Sequence, residues 1–228
     1  MKHSGKAAQA ALKLIFWTLV LLLALLAAGV VARHFATLIA WAASALVGLW
    51  VLFAAFTFYF FRDPEPVMPA DPKAIVSPAH GTVDVIEEAT EAEVMGGPCR
   101  RISIFLSVID VHVQRAPVSG NVTHYKHKLG QFLSATKAHC AEFNENVLLG
   151  FECPAQGGAK VGLRLIAGLI ARRIVPWVGA GETVQRSERI SLIQFGSRCD
   201  LYLPRDARVQ VQLGAKVKGG ETVLAVFA

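Results

Sequence analysis

Hydrophobic and polar positions divide the chain near residue 61. An uncharged apolar run of about 19 residues extends from Leu14 to Ala32; Arg33 and His34 interrupt it, and a second run of about 27 follows from Phe35 to Phe61. At about 1.5 Å per residue the first run alone crosses a hydrocarbon core of roughly 30 Å. The pattern predicts two helices, 14–32 and 35–61, forming a transmembrane helical hairpin that anchors residues 1–61. A cleaved signal peptide is the competing reading, with Lys2, Lys6 and Lys13 as its basic leader. The first run is long for such a segment, and a second apolar run follows at once, which favours the anchor.

Beyond Phe61 the pattern changes. "RDPEPVMPADP" (62–72) reads as an extended Pro-rich linker, because each proline biases its predecessor away from helix. Residues 73–228 then alternate apolar and polar positions in short stretches bounded by glycine, as in "RVQVQL" and "KVGLRLI". Strands are expected at 74–77, 81–86, 101–106, 120–125, 146–152, 160–166, 188–195, 208–213 and 222–227, and "FLSATKAHCAEFNENV" (132–147) as a short helix or loop. "SPAHGTV" (77–83) echoes "APVSGNV" (116–122), and "VGAGETVQ" (178–185) echoes "VKGGETVLA" (217–225). Such repeated corners predict a mainly β fold, a glycine-cornered sandwich or barrel with pseudo-symmetric halves behind the anchor.

Charge narrows the function. The formal net charge is +6, but four of the 23 basic residues and none of the 17 acidic ones precede Arg62, which leaves 19 against 17 and a net of +2 for the rest. No basic stripe interleaved with aromatics remains, so nucleic acid is an unsuitable partner. Lysines before the first run, set against only Arg33 and His34 between the two, place the N-terminus and the β domain on the cytoplasmic side of the membrane. Cys99, Cys140, Cys153 and Cys199 are widely spaced, which fits reduced structural thiols better than a disulfide framework or a zinc site.

Near the C-terminus, "QFGSRCD" (194–200) sets Gly196 and Ser197 between an alternating apolar stretch and a strand-like run, Leu201 to Leu203. A tight turn is the plain reading. Taken with "FFRDPEP", "SPAHGTV", "RISIFLSVIDVHVQRAPVSGNV", "IAGLIARRIVPWV", "ERISLIQFGSRCDLYLP" and "VKGGETVLA", in that order, the chain resembles the short, membrane-anchored phosphatidylserine decarboxylases. The resemblance implies a proenzyme that cuts itself between Gly196 and Ser197 into chains 1–196 and 197–228. It also implies that Ser197 becomes a covalent pyruvoyl group, which forms a Schiff base with the amine of a phosphatidylserine headgroup and takes up the electron pair as carbon dioxide leaves. No external cofactor and no metal is implied. The implied substrate lies in the bacterial inner membrane, the implied product is phosphatidylethanolamine, and the family favours a homodimer. An ether-linked archaetidylserine would present the same headgroup.

Within that resemblance His112, in "DVH", is the expected general base or acid, since imidazole titrates near neutrality. The family usually has an aspartate where "SPAHG" has His80, so the proton relay to His112 falls to His80 or to Asp110. "EFNENV" likewise stands where the family commonly has Asn-Glu-Arg. These departures keep a decarboxylase-like protein with impaired processing as an alternative. A biotinyl- or lipoyl-like adaptor is a weaker one, because no Met-Lys pair follows the anchor.

Overall fold

The computed structural model describes residues 6–131, 143–168, 173–194 and 197–228. Two compact units divide it, Met1–Thr57 and Phe58–Ala228. Helix α1 spans Lys6–Phe60 and runs unbroken through Arg33–His34, where the sequence reading places the turn of a hairpin. Nothing in the sequence stops it there, because no proline occurs before Pro64, and Gly29 and Gly48 are isolated in long runs of good helix formers. Threonine hydroxyls are absorbed within the helix, as where Thr37 donates to the Arg33 carbonyl at 2.9 Å and Thr57 to the Phe53 carbonyl at 2.9 Å. From Ile15 to Phe60 the side chains are overwhelmingly apolar, and the 46 residues are long and apolar enough to cross a membrane.

The second unit is mainly β, as the alternation predicts. In chain order its strands are β1 (Ala74–Val76), β2 (Gly81–Glu91), β3 (Gly97–Leu106), β4 (Val113–Arg115), β5 (Gly120–Lys128), β6 (Asn146–Cys153), β7 (Ala159–Ala167), β8 (Ile174–Pro176), β9 (Thr183–Val184), β10 (Arg189–Ile193), β11 (Ser197–Leu203), β12 (Arg208–Val209), β13 (Lys216–Val217) and β14 (Val223–Val226). An eight-stranded sheet runs β13-β2-β3-β11-β7-β6-β5-β9, and two three-stranded sheets run β1-β14-β12 and β4-β10-β8. The order is a duplication. Exchanging β1, β2, β3, β11, β12, β13 and β14 for β4, β5, β6, β7, β8, β9 and β10 turns each pairing into another, with the axis between β7 and β11. The halves enclose one apolar core that includes Ile102, Ile104, Leu149, Phe151, Leu163, Leu165, Ile190 and Leu201.

One echo in the sequence marks this duplication and the other does not. Gly81 and Gly120 open β2 and β5, and at each a Cβ would run into the carbonyl oxygen of the next strand, Phe105 and Glu152 respectively. The two Gly-Glu-Thr-Val corners, by contrast, lead into strands that are not counterparts, β9 and β14. The true equivalents share backbone conformation instead. Gly181 and Gly214 precede β9 and β13 with φ of 93° and 84°, and Ser187 and Gly220 precede β10 and β14 with φ of 69° and 78°. Ser187 tolerates the left-handed region with its hydroxyl donating to the Gly220 carbonyl at 2.7 Å.

Residues 62–72 form no helix or strand, as expected, but they are bound to the β unit rather than hanging free. Arg115 donates to Asp63 at 2.6 Å and to the Pro64 carbonyl at 2.9 Å. Arg189 pairs with Asp63 and Glu65. Arg186 donates to the carbonyls of Pro69 at 2.7 Å and Asp71 at 2.6 Å. Arginines of the β unit thus supply donors to carbonyls of the Pro-rich strap. The helix or loop expected at 132–147 lies largely outside the described residues. Cys99, Cys153 and Cys199 are free and buried, and Cys140 lies outside the described residues.

Candidate active site

Ser197 is not the exposed tip of a turn. It opens β11, fully buried, paired with Leu106 of β3 on one side and Ala167 of β7 on the other. Its Oγ is buried and has no hydrogen-bond partner among the described residues. Leaving a hydroxyl so placed is costly, on the order of 1–3 kcal/mol, and calls for an explanation. Gly196 lies outside the described residues. The sequence alternation missed most of β11 because all seven of its residues are buried, Arg198 and Asp200 included.

These two charges fix the residue after Ser197. Arg198 meets Asp84 of β2 through both ends of its fork, at 2.8 and 2.9 Å, and its Nε donates to Asp200 at 3.2 Å. Burial pushes the Asp84 carboxyl up, and Arg198 pulls against that shift. An arginine two positions from an aspartate in an otherwise apolar strand was the available signal for this buried pair.

His112 reaches the same end of the large sheet by two routes. Leu106, the partner of Ser197, is joined to it by the loop 107–111. There the Asp110 carboxylate accepts from the Ser107 N–H at 2.8 Å and the Ser107 hydroxyl at 2.7 Å, closing a turn. On the other side the His112 carbonyl accepts from the Ile193 N–H at 3.2 Å. Ile193 precedes Ser197 by four residues, a span of at most about 14 Å.

The imidazole is fully buried and its Nδ1 lies 2.8 Å from the Asp110 carbonyl. A carbonyl only accepts, so Nδ1 carries the proton and the neutral ring presents the lone pair of Nε2. Burial lowers the His112 pKa, the Asp110 carbonyl and carboxylate raise it in part, and Arg62 lowers it further. The ring of Phe60 lies against it, with centroids 4.2 Å apart. Sequence reasoning set His80 or Asp110 behind His112; the contact at Nδ1 is with the backbone carbonyl of Asp110. His80 is half-buried. Burial lowers its pKa, opposed by Glu221 and Asp110 and reinforced by Arg115 and Arg62. Asp110 and Arg62 therefore act on both histidines.

In "EFNENV", Asn144 donates to the Ala167 carbonyl at 2.7 Å, and Ala167 donates to the Glu145 carbonyl at 2.9 Å. Asn146, in place of the expected arginine, donates to the Asn144 carbonyl at 2.9 Å. The segment thus holds the strand end that pairs with Ser197. Phe60, Arg62 and Asn144 were passed over as site residues because they lie far from Ser197 in sequence.

Proteins of known family resemble this chain over most of its length. The family model of phosphatidylserine decarboxylase matches residues 53–225. A phosphatidylserine decarboxylase proenzyme of Desulfotalea psychrophila is 46% identical over 179 residues, 78% of this chain and 83% of that protein. Another, of Symbiobacterium thermophilum, is 42% identical over 193 residues, 82% of this chain and 89% of that protein. A third, of Erythrobacter litoralis, is 46% identical over 178 residues, 73% and 71% of the two chains.

Proposed function

The chain belongs to the phosphatidylserine decarboxylase family of carboxy-lyases, and we propose that it matures by cutting its own Gly196–Ser197 bond before decarboxylating phosphatidylserine. The observation that carries this is the buried Oγ of Ser197 at the head of β11, unpartnered among the described residues. His112, with its proton on Nδ1, takes the Ser197 proton at Nε2 as Oγ attacks the Gly196 carbonyl carbon. The C–N bond breaks, the amide becomes an ester, and the amine of residue 197 is freed. Loss of the Cα proton and cleavage of the Cβ–O bond release the Gly196 carboxylate and leave dehydroalanine. Water then enters, ammonia departs, and residue 197 ends as a pyruvoyl group.

Only a residue with a β-heteroatom completes this sequence, and Ser197 is one. The group so formed supplies a ketone that accepts the electron pair released on decarboxylation. Around it Arg198, Asp84 and Asp200 hold β11 in place, while His112 remains available to hold or move a proton at Nε2.

The membrane is the source of the substrate in this reading. A stretch of 46 apolar residues is about 69 Å long as a helix, more than twice the hydrocarbon core. Two crossings, with α1 opening at Arg33–His34 in the bilayer, would accommodate it and would leave Lys2, Lys6, Lys13 and the β unit together on the cytoplasmic side of the inner membrane. A homodimer belongs to the same reading.

Replacing Ser197 with alanine tests maturation. The Ser197→Ala chain should remain whole on a denaturing gel and be inactive, whereas wild type should give chains 1–196 and 197–228. Two chains from the alanine variant would exclude self-cleavage by this hydroxyl.

A further inference from the structure

Segment Phe60–Asp63 straddles the end of the apolar run and would pass for the tail of a tether. Its contacts say otherwise. Phe60, the last residue of α1, is fully buried against the His112 ring. Arg62 lies over the Tyr59 ring at 3.9 Å and donates through Nη1 to the Tyr59 carbonyl at 2.8 Å, a cation on the exposed carbonyls of a helix C-terminus. Its Nη2 donates to the Ile109 carbonyl at 2.7 Å, in the loop that carries Asp110 and His112. Asp63 continues the line to Arg115 and Arg189.

We propose that Phe60 and Arg62 are positioning residues of the active site, Phe60 backing the His112 ring and Arg62 tying the carbonyl of Ile109 to the last helical turn. The inference rests on the maturation reading above, in which His112 takes the Ser197 proton. The 107–111 loop carries its own Ser107–Asp110 turn, but Ile109 at its tip is 64% exposed and meets the rest of the unit through the Arg62 fork. A guanidinium suits this place because it reaches two carbonyls at once while its charge stays beside the histidines. The charged groups facing His112 are Asp110 and Arg62, and those facing His80 are Glu221, Asp110, Arg115 and Arg62.

The test uses the full chain in membranes or detergent and follows the half-time of precursor conversion against pH in Phe60→Ala, Phe60→Leu, Arg62→Gln and Arg62→Lys. Arg62→Gln should slow conversion on the order of tenfold, because a small displacement of a catalytic group is enough for that. Its acid limb should move to higher pH, since a positive charge that disfavoured the imidazolium is gone. Arg62→Lys should keep the wild-type limb while converting more slowly. Phe60→Ala should be slower than Phe60→Leu, which retains apolar bulk behind the ring. Wild-type rates and limbs in Arg62→Gln and Phe60→Ala overturn the proposal. Slow conversion with an unmoved limb in Arg62→Gln, matched by a lower unfolding temperature, also overturns it by reducing the role to folding. A wild-type chain that never converts overturns the maturation reading and this inference with it.

Discussion

Asp110 does two separable jobs, and two substitutions divide them. One carboxylate oxygen accepts both hydrogen bonds from Ser107, and the charge also stabilises protonated His112 and His80. Asp110→Asn can keep an oxygen in that position but removes the charge. His112 then protonates less readily, because burial is no longer opposed by a neighbouring carboxylate. A base works in its neutral form, so the acid limb of the conversion rate should move to lower pH in this variant. The plateau should fall modestly, since the imidazolium formed during attack loses a stabilising charge. Asp110→Ala removes both bonds as well. Hydrogen bonds to a charged acceptor contribute about 1.5–3 kcal/mol each when buried. Ser107 and Asp110 are half-buried, so about 1 kcal/mol each, or about 2 kcal/mol in all, is the reasonable loss. If that loss appears wholly in the barrier, conversion slows about 30-fold. Pulse labelling followed by denaturing gels from pH 5 to pH 9 measures rate and limb together. Asp110→Ala converting as fast as wild type, or Asp110→Asn with an unmoved acid limb, would refute the two roles assigned to the Asp110 carboxylate.

Three further outcomes are expected. His80→Asp should shorten the conversion half-time on the same gels, because it adds a carboxylate where the family usually has one; an unchanged half-time would mean that Asp110 already suffices. Arg198→Met should destabilise the β unit by about 3 kcal/mol in chemical denaturation, because Asp84 and buried Asp200 lose their shared cation; a loss below about 1 kcal/mol would count against that ion pair. Gly81→Ala and Gly120→Ala should each lower stability by about 1–3 kcal/mol, since both force a methyl against a neighbouring strand's carbonyl; thermal unfolding that spares either one would argue against their equivalence.

Much of this architecture was legible in the sequence, and the exceptions have physical reasons. Alternation located β2 and β5 because one face of each meets the core and the other is less covered, and apolar content located β6, β7 and β10, most of whose residues are buried. It missed most of β11, whose position between β3 and β7 buries both faces and hides the period. It missed β4, β8, β9 and β13 because two or three residues carry no period at all. The "SPAHGTV" and "APVSGNV" echo exposed the duplication because steric closeness enforces glycine at both sites. The Gly-Glu-Thr-Val echo misled because left-handed corners are met by Ser187 as well as by glycine. For the site, Ser197 and His112 came from motif resemblance, whereas Phe60, Arg62, Arg198 and Asn144 act through contacts between segments remote in sequence. Spacing along the chain does not encode such contacts. The helix is continuous at Arg33–His34 for a local reason, since two polar residues interrupt an apolar pattern without interrupting a helix.

The central claim is that Ser197 ceases to be serine, and intact-mass spectrometry of the purified protein addresses it most directly. The account predicts two chains, 1–196 and 197–228, the second lighter by one ammonia than a chain beginning with free serine and reactive toward a carbonyl reagent. A single chain of 228 residues, or a 197–228 fragment retaining a serine amine, would contradict it.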